Sequence, residues 1–195
     1  MEIELVSIQK IVDLCGSLHL DQDTTYRRSK ILINNYHDIV WVDAKKVEMQ
    51  NAKKTDSRKD PDLALLYLAE FDPSDNIKFI RHNMFLLFDA EWLKDIVDSA
   101  KEHVLSFSKD GGLYCEILDE YLTQKFITAR ERQKNKGTGK SSFYRKRNGA
   151  FLLFGVSLWG ILIPYRLNLY SLSDCQSKRL LISKICKNGF IEPLA

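Results

Sequence analysis

The residues that could do chemistry are concentrated in one basic segment of this 195-residue chain. Residues 121–150 contain nine Lys or Arg residues and a single acidic residue, Glu131. This segment has a net charge of +8, whereas residues 1–120 carry −8 and residues 151–195 carry +3. A basic block in an otherwise acidic chain suits a polyanion, because its field attracts phosphates while the remaining surface repels them. Nucleic acid is therefore the first partner to consider, and a solvated basic loop or a membrane-surface patch is the alternative.

Catalytic and metal-binding chemistry finds little support in the sequence. The four cysteines and four histidines are scattered and form no CxxC, HExxH or HxxxH pattern, so neither a metal site nor a cofactor is expected. The cysteines are expected to be reduced and mostly buried. Glu116, Asp119 and Glu120 lack a nucleophile, a glycine-rich phosphate loop or a histidine, so a solvated helix face explains them better than acid–base chemistry does. The protein is not expected to be an enzyme.

Helix signals in the basic segment predict the elements that position its charges. Thr128 followed by Glu131 forms a capping box, which predicts the start of a short helix. The glycine-containing turn at 137–139 interrupts that helix, and Ser141 or Ser142 can cap a second helix that runs through Trp159. A helix, a glycine-containing turn and another helix form the unit that places its second helix in the DNA major groove.

The second predicted helix has a core side and an opposite, reading side. At about 100° per residue, Phe143 marks the core side, and Ala150, Phe154, Leu158 and Ile161 fall near it. Ser141, Arg145 and Asn148 point away from that stripe, with Tyr144 at the flank. Arg pairs with guanine and Asn with adenine, so these residues suit direct readout of bases.

The edges of the same helix carry Lys140, Ser142, Lys146 and Arg147, where a DNA backbone would run. Such side chains suit phosphate contacts, which add affinity without sequence information. The complete set of candidate DNA-binding residues is Thr128, Arg130, Lys140, Ser141, Ser142, Tyr144, Arg145, Lys146, Arg147 and Asn148.

Three sequence pieces carry a resemblance to a known family: GGLYCEIL with Tyr121, then SSFYRKRNGA, then LWGILIP. From about Trp92 to Pro164 the chain resembles the ArpU-type phage transcriptional regulators of Gram-positive bacteria, whose C-terminal part is similar to sigma factor region 4. The resemblance implies a helix-turn-helix whose recognition helix opens with the serine, tyrosine and arginine run. Ser141, Ser142, Tyr144, Arg145 and Arg147 are the residues it implicates in DNA binding.

The rest of the chain predicts an all-α fold, because nine glycines and four prolines leave few turns for short strands. Helices are predicted over residues 1–16, from an Asp21 or Asp23 cap onward, over DLALLYLAEF, and as one pattern from Phe79 to Phe107. Residues 51–61 read as a loop. We expect an acidic helical region over 1–105, the helix-turn-helix domain over 106–165, and a helical extension over 166–195.

The apolar run AFLLFGVSLWGILI is about 21 Å long as a helix, short of the ~30 Å hydrocarbon core, so a buried helix is expected rather than a membrane span. Gly155, Ser157 and Gly160 would let another helix approach, either in a dimer or in packing on the N-terminal helices. The acidic N-terminus lacks the pattern of a signal peptide, so a cytoplasmic location is expected.

Together these features predict a cytoplasmic, phage-type transcription regulator that binds double-stranded DNA. RNA polymerase and a second copy of the chain are further candidate partners, and a membrane is not expected. Two alternatives stay open. One is a DNA-packaging adaptor similar to a small terminase subunit, and the other is a helical interaction module whose basic segment binds an acidic protein or membrane surface.

Overall fold

The computed structural model describes residues 2–42, 59–107, 109–123 and 140–169. Within these ranges the chain is helical and contains no strand, so the predicted all-α fold is confirmed. In the N-terminal half, α1 spans Glu2–Ser17, and α2 spans Gln22–His37 and continues as a π-helix over Asp38–Val42. The next helices are α3 (Pro61–Glu70), α4 (Ile77–Leu87), α5 (Ala90–Phe107) and α6 (Gly111–Leu122). Last, α7 spans Lys140–Gly155 and continues through a π-helix, Val156–Leu162, into α8, Ile163–Leu169.

Local side-chain caps set where several helices begin. Asp21 caps α2 as predicted, since its Oδ1 accepts a hydrogen bond from the Thr24 amide at 2.8 Å. The single helix predicted from Phe79 to Phe107 is wrong, because α4 ends at Leu87 and α5 begins at Ala90. Asp89 explains the break: its Oδ1 accepts hydrogen bonds from the amides of residues 91 and 92, an N-cap arrangement that competes with continuous helix.

The centre of the fold is α7 together with its π-helical continuation. Every residue from 151 to 159 is buried, and α2, α5 and α6 all pack against this segment. At Gly155 an added Cβ would collide with Ser29 and lie 2.7 Å from Thr25 Cγ2, so only glycine permits this approach of α2. At Gly160 an added Cβ would lie 2.7 Å from Leu18 Cδ1. Of the two uses predicted for these small residues, the structure therefore shows packing on the N-terminal helices.

The hydrophobic core extends across the region boundary predicted near residue 105. Ile11 and Leu32, from the first predicted region, belong to the same buried cluster as Leu118 and Phe154 from the second. Burial of this continuous cluster removes apolar surface from water, which stabilises the fold by roughly 25 cal/mol for each Å² of apolar surface buried. The helix that carries the candidate DNA-binding residues is thus anchored by both halves of the chain.

One buried and one partly buried side chain complete the hydrogen bonding at the end of α3. The Trp159 indole Nε1 donates to the Leu68 carbonyl at 2.9 Å, near the end of α3, where carbonyls lack a partner within the helix. Arg28 donates through Nε to the Phe71 carbonyl at 3.0 Å and stacks on the Phe71 ring. Arg28 therefore supports the end of α3 rather than lying on a fully solvated face of α2. Burial lowers the pKa of Arg28, whose guanidinium packs between rings.

Among the described residues, one helix is long and apolar enough to cross a membrane by length and composition, Ser141–Asn168. Its most apolar 18-residue window is 67% buried inside the protein, and core helices of soluble proteins pass the same test. Ile161, expected on the core stripe, is instead 37% exposed. The π-helical turns precede Pro164, which cannot donate a backbone hydrogen bond within a helix.

Several predictions concern residues outside the described ranges. These are the capping box of Thr128 and Glu131, the glycine turn at 137–139, loop residues 51–58, the extension beyond residue 169, and Cys175 and Cys186. The two described cysteines, Cys15 and Cys115, are free thiols, the first buried and the second partly buried. Desolvation by burial raises the pKa of both thiols.

Candidate nucleic-acid interface

The first two turns of α7 form a basic helix end that emerges from the core. Burial is complete from Gly149 to Trp159, whereas Ser141 and Asn148 are exposed. The residues between them are mostly half-buried: Ser142, Tyr144, Arg145, Lys146 and Arg147. Phe143 is 2% exposed, which confirms its predicted burial. The helix therefore has an apolar part inside the protein, residues 149–159, and a basic end at the surface, residues 141–148, which we call its tip.

Contacts with neighbouring rings hold Arg147 in place at this tip. Its guanidinium carbon lies 4.9 Å from the centroid of the Tyr144 ring and 5.9 Å from that of Phe151. Its Nη2 also donates to Asn148 Oδ1 at 2.9 Å. Exposed cation–π contacts of this kind contribute about 0.5–1 kcal/mol. Arg147 is thus restrained before any ligand arrives, which lowers the entropy cost of a phosphate contact.

Asn148 joins α7 to α2 through a hydrogen bond that the sequence did not indicate. The Tyr26 hydroxyl donates to Asn148 Oδ1 at 3.1 Å, and the same oxygen accepts from Arg147. Tyr26 and Asn148 are 122 residues apart in the chain. No local pattern can reveal a contact at that separation, because it depends on how α2 packs on α7.

The face of α7 opposite Phe143 borders a cleft of about 530 Å³ between α1 and α2. Arg145 and Asn148 line this cleft together, as the periodicity predicted, but Arg145 is only partly exposed. The expectation of an open reading face is therefore wrong at Arg145. Periodicity identifies the residues that share a helix face, whereas the packing of other helices decides whether that face is covered.

The opposite wall of the cleft is acidic and comes from the start of α2. Asp21 and Asp23 line it together with Tyr26, while Ile8, Ile11 and Leu152 supply an apolar portion. Hydrogen bonds from the Thr24 side chain and then its backbone amide lower the pKa of Asp21, which is fully ionised at neutral pH. The Arg145 side chain makes no hydrogen bond or ion pair with the part of the chain that the structure describes. Its charge faces this acidic wall across the cleft.

Of the remaining candidate residues, some lie within the described ranges and some do not. Ser142 and Lys146 lie on the described part of α7 and both take part in polar or electrostatic interactions. Lys140 is the first residue of α7. Thr128 and Arg130 lie outside the described ranges, as does the predicted first helix of the helix-turn-helix. The structure therefore brings together Ser141, Ser142, Tyr144, Arg145, Lys146, Arg147 and Asn148 on one helix end.

The chemistry that this helix end can perform is recognition of anions. It presents three cations and several hydroxyl groups over two turns, all on one helix anchored in the core.

The acidic residues of α6 show no sign of a catalytic arrangement of their own. Glu116 and Asp119 are exposed on α6, and Asp119 pairs with Lys101 at 2.7 Å. Among the described residues, no group of three or more His, Cys, Asp or Glu residues is placed to hold a metal ion.

Comparisons with known proteins add no family assignment. Neither a scan against protein-family models nor searches of curated proteins and of solved structures give a match for this chain. The arrangement that distinguishes it is a basic helix end anchored in a continuous apolar core.

Proposed function

We propose that this protein is a DNA-binding transcription regulator of phage or prophage type that acts in the cytoplasm. The observation that carries the proposal is the basic end of α7, where Arg145, Lys146 and Arg147 follow two serines on a helix anchored in the core. Residues 121–139, which precede α7 in the sequence, contain five more basic residues. A positive field of this kind favours phosphate contacts and rapid association with DNA.

Within this proposal, some of the described residues contact the DNA backbone and others contact base edges. Lys146 and Arg147, with the hydroxyls of Ser141 and Ser142, are assigned to backbone phosphates. These groups hydrogen-bond phosphate oxygens without reading sequence. Arg145 is assigned to base readout, because the N-terminal residues of a recognition helix contact base edges and Arg pairs bidentately with guanine.

Asn148 is assigned a positioning role alongside Arg145. Its side-chain oxygen Oδ1 accepts hydrogen bonds from Tyr26 and Arg147, so Asn148 orients Arg147, which is assigned to phosphate contact. The acidic wall formed by Asp21 and Asp23 limits how DNA can approach the protein, because those carboxylates repel a DNA phosphate backbone that lies across the cleft. The DNA backbone is therefore expected to contact the N-terminal end of α7, so that only a base edge reaches Arg145 in the cleft.

The resemblance to ArpU-type regulators supports the transcriptional role and the helix-turn-helix. RNA polymerase and a second copy of the chain remain candidate partners of a regulator of this type. Selection of bound fragments from a pool of random duplexes tests the regulatory role directly. An enriched motif supports regulation, whereas tight binding without any motif supports a packaging or architectural role instead.

The salt dependence of duplex binding tests the interface itself. With five or six phosphates neutralised, log affinity should fall with log salt at a slope of about −5. The double variant Lys146→Gln/Arg147→Gln should make that slope shallower by about two units, at about one unit per phosphate contact. The matched control, Lys10→Gln/Lys94→Gln, removes the same charge from exposed positions on α1 and α5 and should leave the slope unchanged. A slope near zero, or equal slopes for both variants, would contradict DNA binding through α7.

A further inference from the structure

A second cleft, of about 460 Å³, lies between α2, the turn at Pro73 and α4. Four basic side chains line it: Arg27, Lys30, Lys78 and Arg81. No carboxylate from the described residues belongs to its lining. This concentration of positive charge lies within the region of the sequence that is acidic overall. It arises because residues of α2 and α4, distant in the sequence, border the same cleft.

The two arginines are fixed by carboxylates that lie outside the cleft. Arg27 Nη2 lies 2.8 Å from Asp23 Oδ2, and Arg81 Nη2 lies 2.6 Å from Asp38 Oδ2. A guanidinium carries five N–H donors, so one such contact leaves most of them available. The Arg81 guanidinium also lies 5.6 Å from the Phe85 ring centroid. Both arginines are thus oriented while they retain donors for a ligand.

The two lysines carry charges that no carboxylate neutralises in the described part of the chain. Lys30 and Lys78 are exposed, and their ammonium groups form no ion pair or hydrogen bond with the described residues. With both arginines paired to carboxylates, the two lysines leave a net positive charge at the cleft, which a bound anion would neutralise. The start of α4 at Ile77 adds the positive end of a helix dipole to the same place.

The cleft also has an apolar part that an inorganic ion would not need. Ile31, Pro73 and Ile77 line it beside the cations, and Ile77 is 52% exposed. A volume of this size falls within the usual range of small-molecule sites, and apolar lining with a few placed polar groups is their usual composition. A sugar–phosphate backbone would make little use of those three side chains.

We propose that this cleft binds a small organic phosphate. Lys30, Lys78 and the remaining donors of the two arginines hold the phosphate, and the apolar side chains hold a flat or apolar body. This site is separate from the DNA-binding end of α7 and does not depend on the function proposed for it. It would give the N-terminal half of the protein a ligand of its own.

Calorimetric titration of the full chain with 1-naphthyl phosphate tests this proposal. The probe joins a phosphate to an apolar ring, while 1-naphthol and inorganic phosphate each supply one half of it. We expect saturable binding of 1-naphthyl phosphate at one site and at least about tenfold weaker binding of either half. Lys30→Gln/Lys78→Gln should weaken binding of the probe by about tenfold or more, since each substitution removes a charge-assisted hydrogen bond.

Two control variants separate the charged and the apolar contributions. Lys10→Gln/Lys94→Gln, which makes the same change of charge elsewhere, should alter probe affinity by less than about twofold. Ile77→Ser should weaken binding of 1-naphthyl phosphate but leave that of inorganic phosphate unchanged. Circular dichroism confirms that each variant is folded before titration.

Several results would overturn the proposal. Absence of saturable binding of 1-naphthyl phosphate would do so, as would equal losses in the two lysine double variants. Displacement of the probe by duplex DNA, with a loss of DNA affinity per lysine equal to that of Lys146→Gln, would show that the cleft belongs to the DNA interface. DNA binding that fails while the probe still binds would refute the function proposed for α7 and leave this site intact.

Discussion

Substitution of Gly155 tests the contact between α2 and α7, the helix proposed to bind DNA. In the Gly155→Ala variant the new methyl group would collide with Ser29 Oγ, lie 2.7 Å from Thr25 Cγ2 and lie 3.0 Å from the Thr25 carbonyl oxygen. Real Cβ atoms do not approach other heavy atoms more closely than about 3.0 Å. Ser29 cannot move freely, because it is buried and its hydroxyl donates to the Thr25 carbonyl at 2.8 Å. The two helices must therefore move apart.

The size of the effect follows from two opposing terms. Overpacking in a well-packed core costs about 1–3 kcal/mol. The higher helix propensity of alanine offsets this loss by up to about 1 kcal/mol of stability. Since the obstacles include a backbone carbonyl, we expect a net loss of about 1–2 kcal/mol in the free energy of unfolding. For a chain of this length, that corresponds to a fall in Tm of about 2–8 °C.

Thermal and urea unfolding, followed by circular dichroism, measure this loss. The matched control is Gly16→Ala at the end of α1, where an added Cβ has no neighbour within 4 Å. That variant should be more stable than the wild type by about 0.5–1 kcal/mol, because only the propensity term remains. Equal stabilisation by both substitutions would show that α2 and α7 do not approach as described, and the anchoring of the basic helix end would lose its support.

Three further predictions concern a buried hydrogen bond, DNA readout and alkaline pH. Trp159→Phe should lower the free energy of unfolding by about 1–3 kcal/mol in urea melts, because the Leu68 carbonyl loses its donor; an unchanged midpoint would contradict this. Arg145→Ala should cost about 1–3 kcal/mol of binding to the selected duplex and little on random DNA in anisotropy titrations, and unchanged discrimination would end its readout role. Desolvation lowers the pKa of Lys101, but Asp119 and Asp98 outweigh it and the net shift is upward. The charged Lys101 should therefore stabilise the fold below its ordinary pKa and lose that contribution as pH rises through the raised value, a loss that urea melts should show in the wild type but much less in Asp119→Asn.

The sequence by itself determined the properties that depend on composition or on neighbours a few residues away. The basic character of residues 121–150 is a property of residue types alone. The start of α2 was predicted to within two residues, at Asp21 or Asp23, because an N-cap involves only residues within one turn, and the structure has the cap at Asp21. The burial of Phe143 and Phe154 followed from helical periodicity, which needs no knowledge of what covers the helix. The break at Asp89 was also local, yet the strong apolar pattern on both sides concealed it.

Tertiary packing decided everything that depends on which helices meet. Arg145 was predicted to lie on an open face, and α1 and α2 instead form a cleft around that face. Arg28, which is partly buried, donates to the Phe71 carbonyl at the end of α3, a residue 43 positions later in the chain. The basic cleft combines Arg27 and Lys30 of α2 with Lys78 and Arg81 of α4, about fifty residues later in the chain. Local patterns carry no information on such distant pairs, because their proximity results from the burial of many apolar side chains at once.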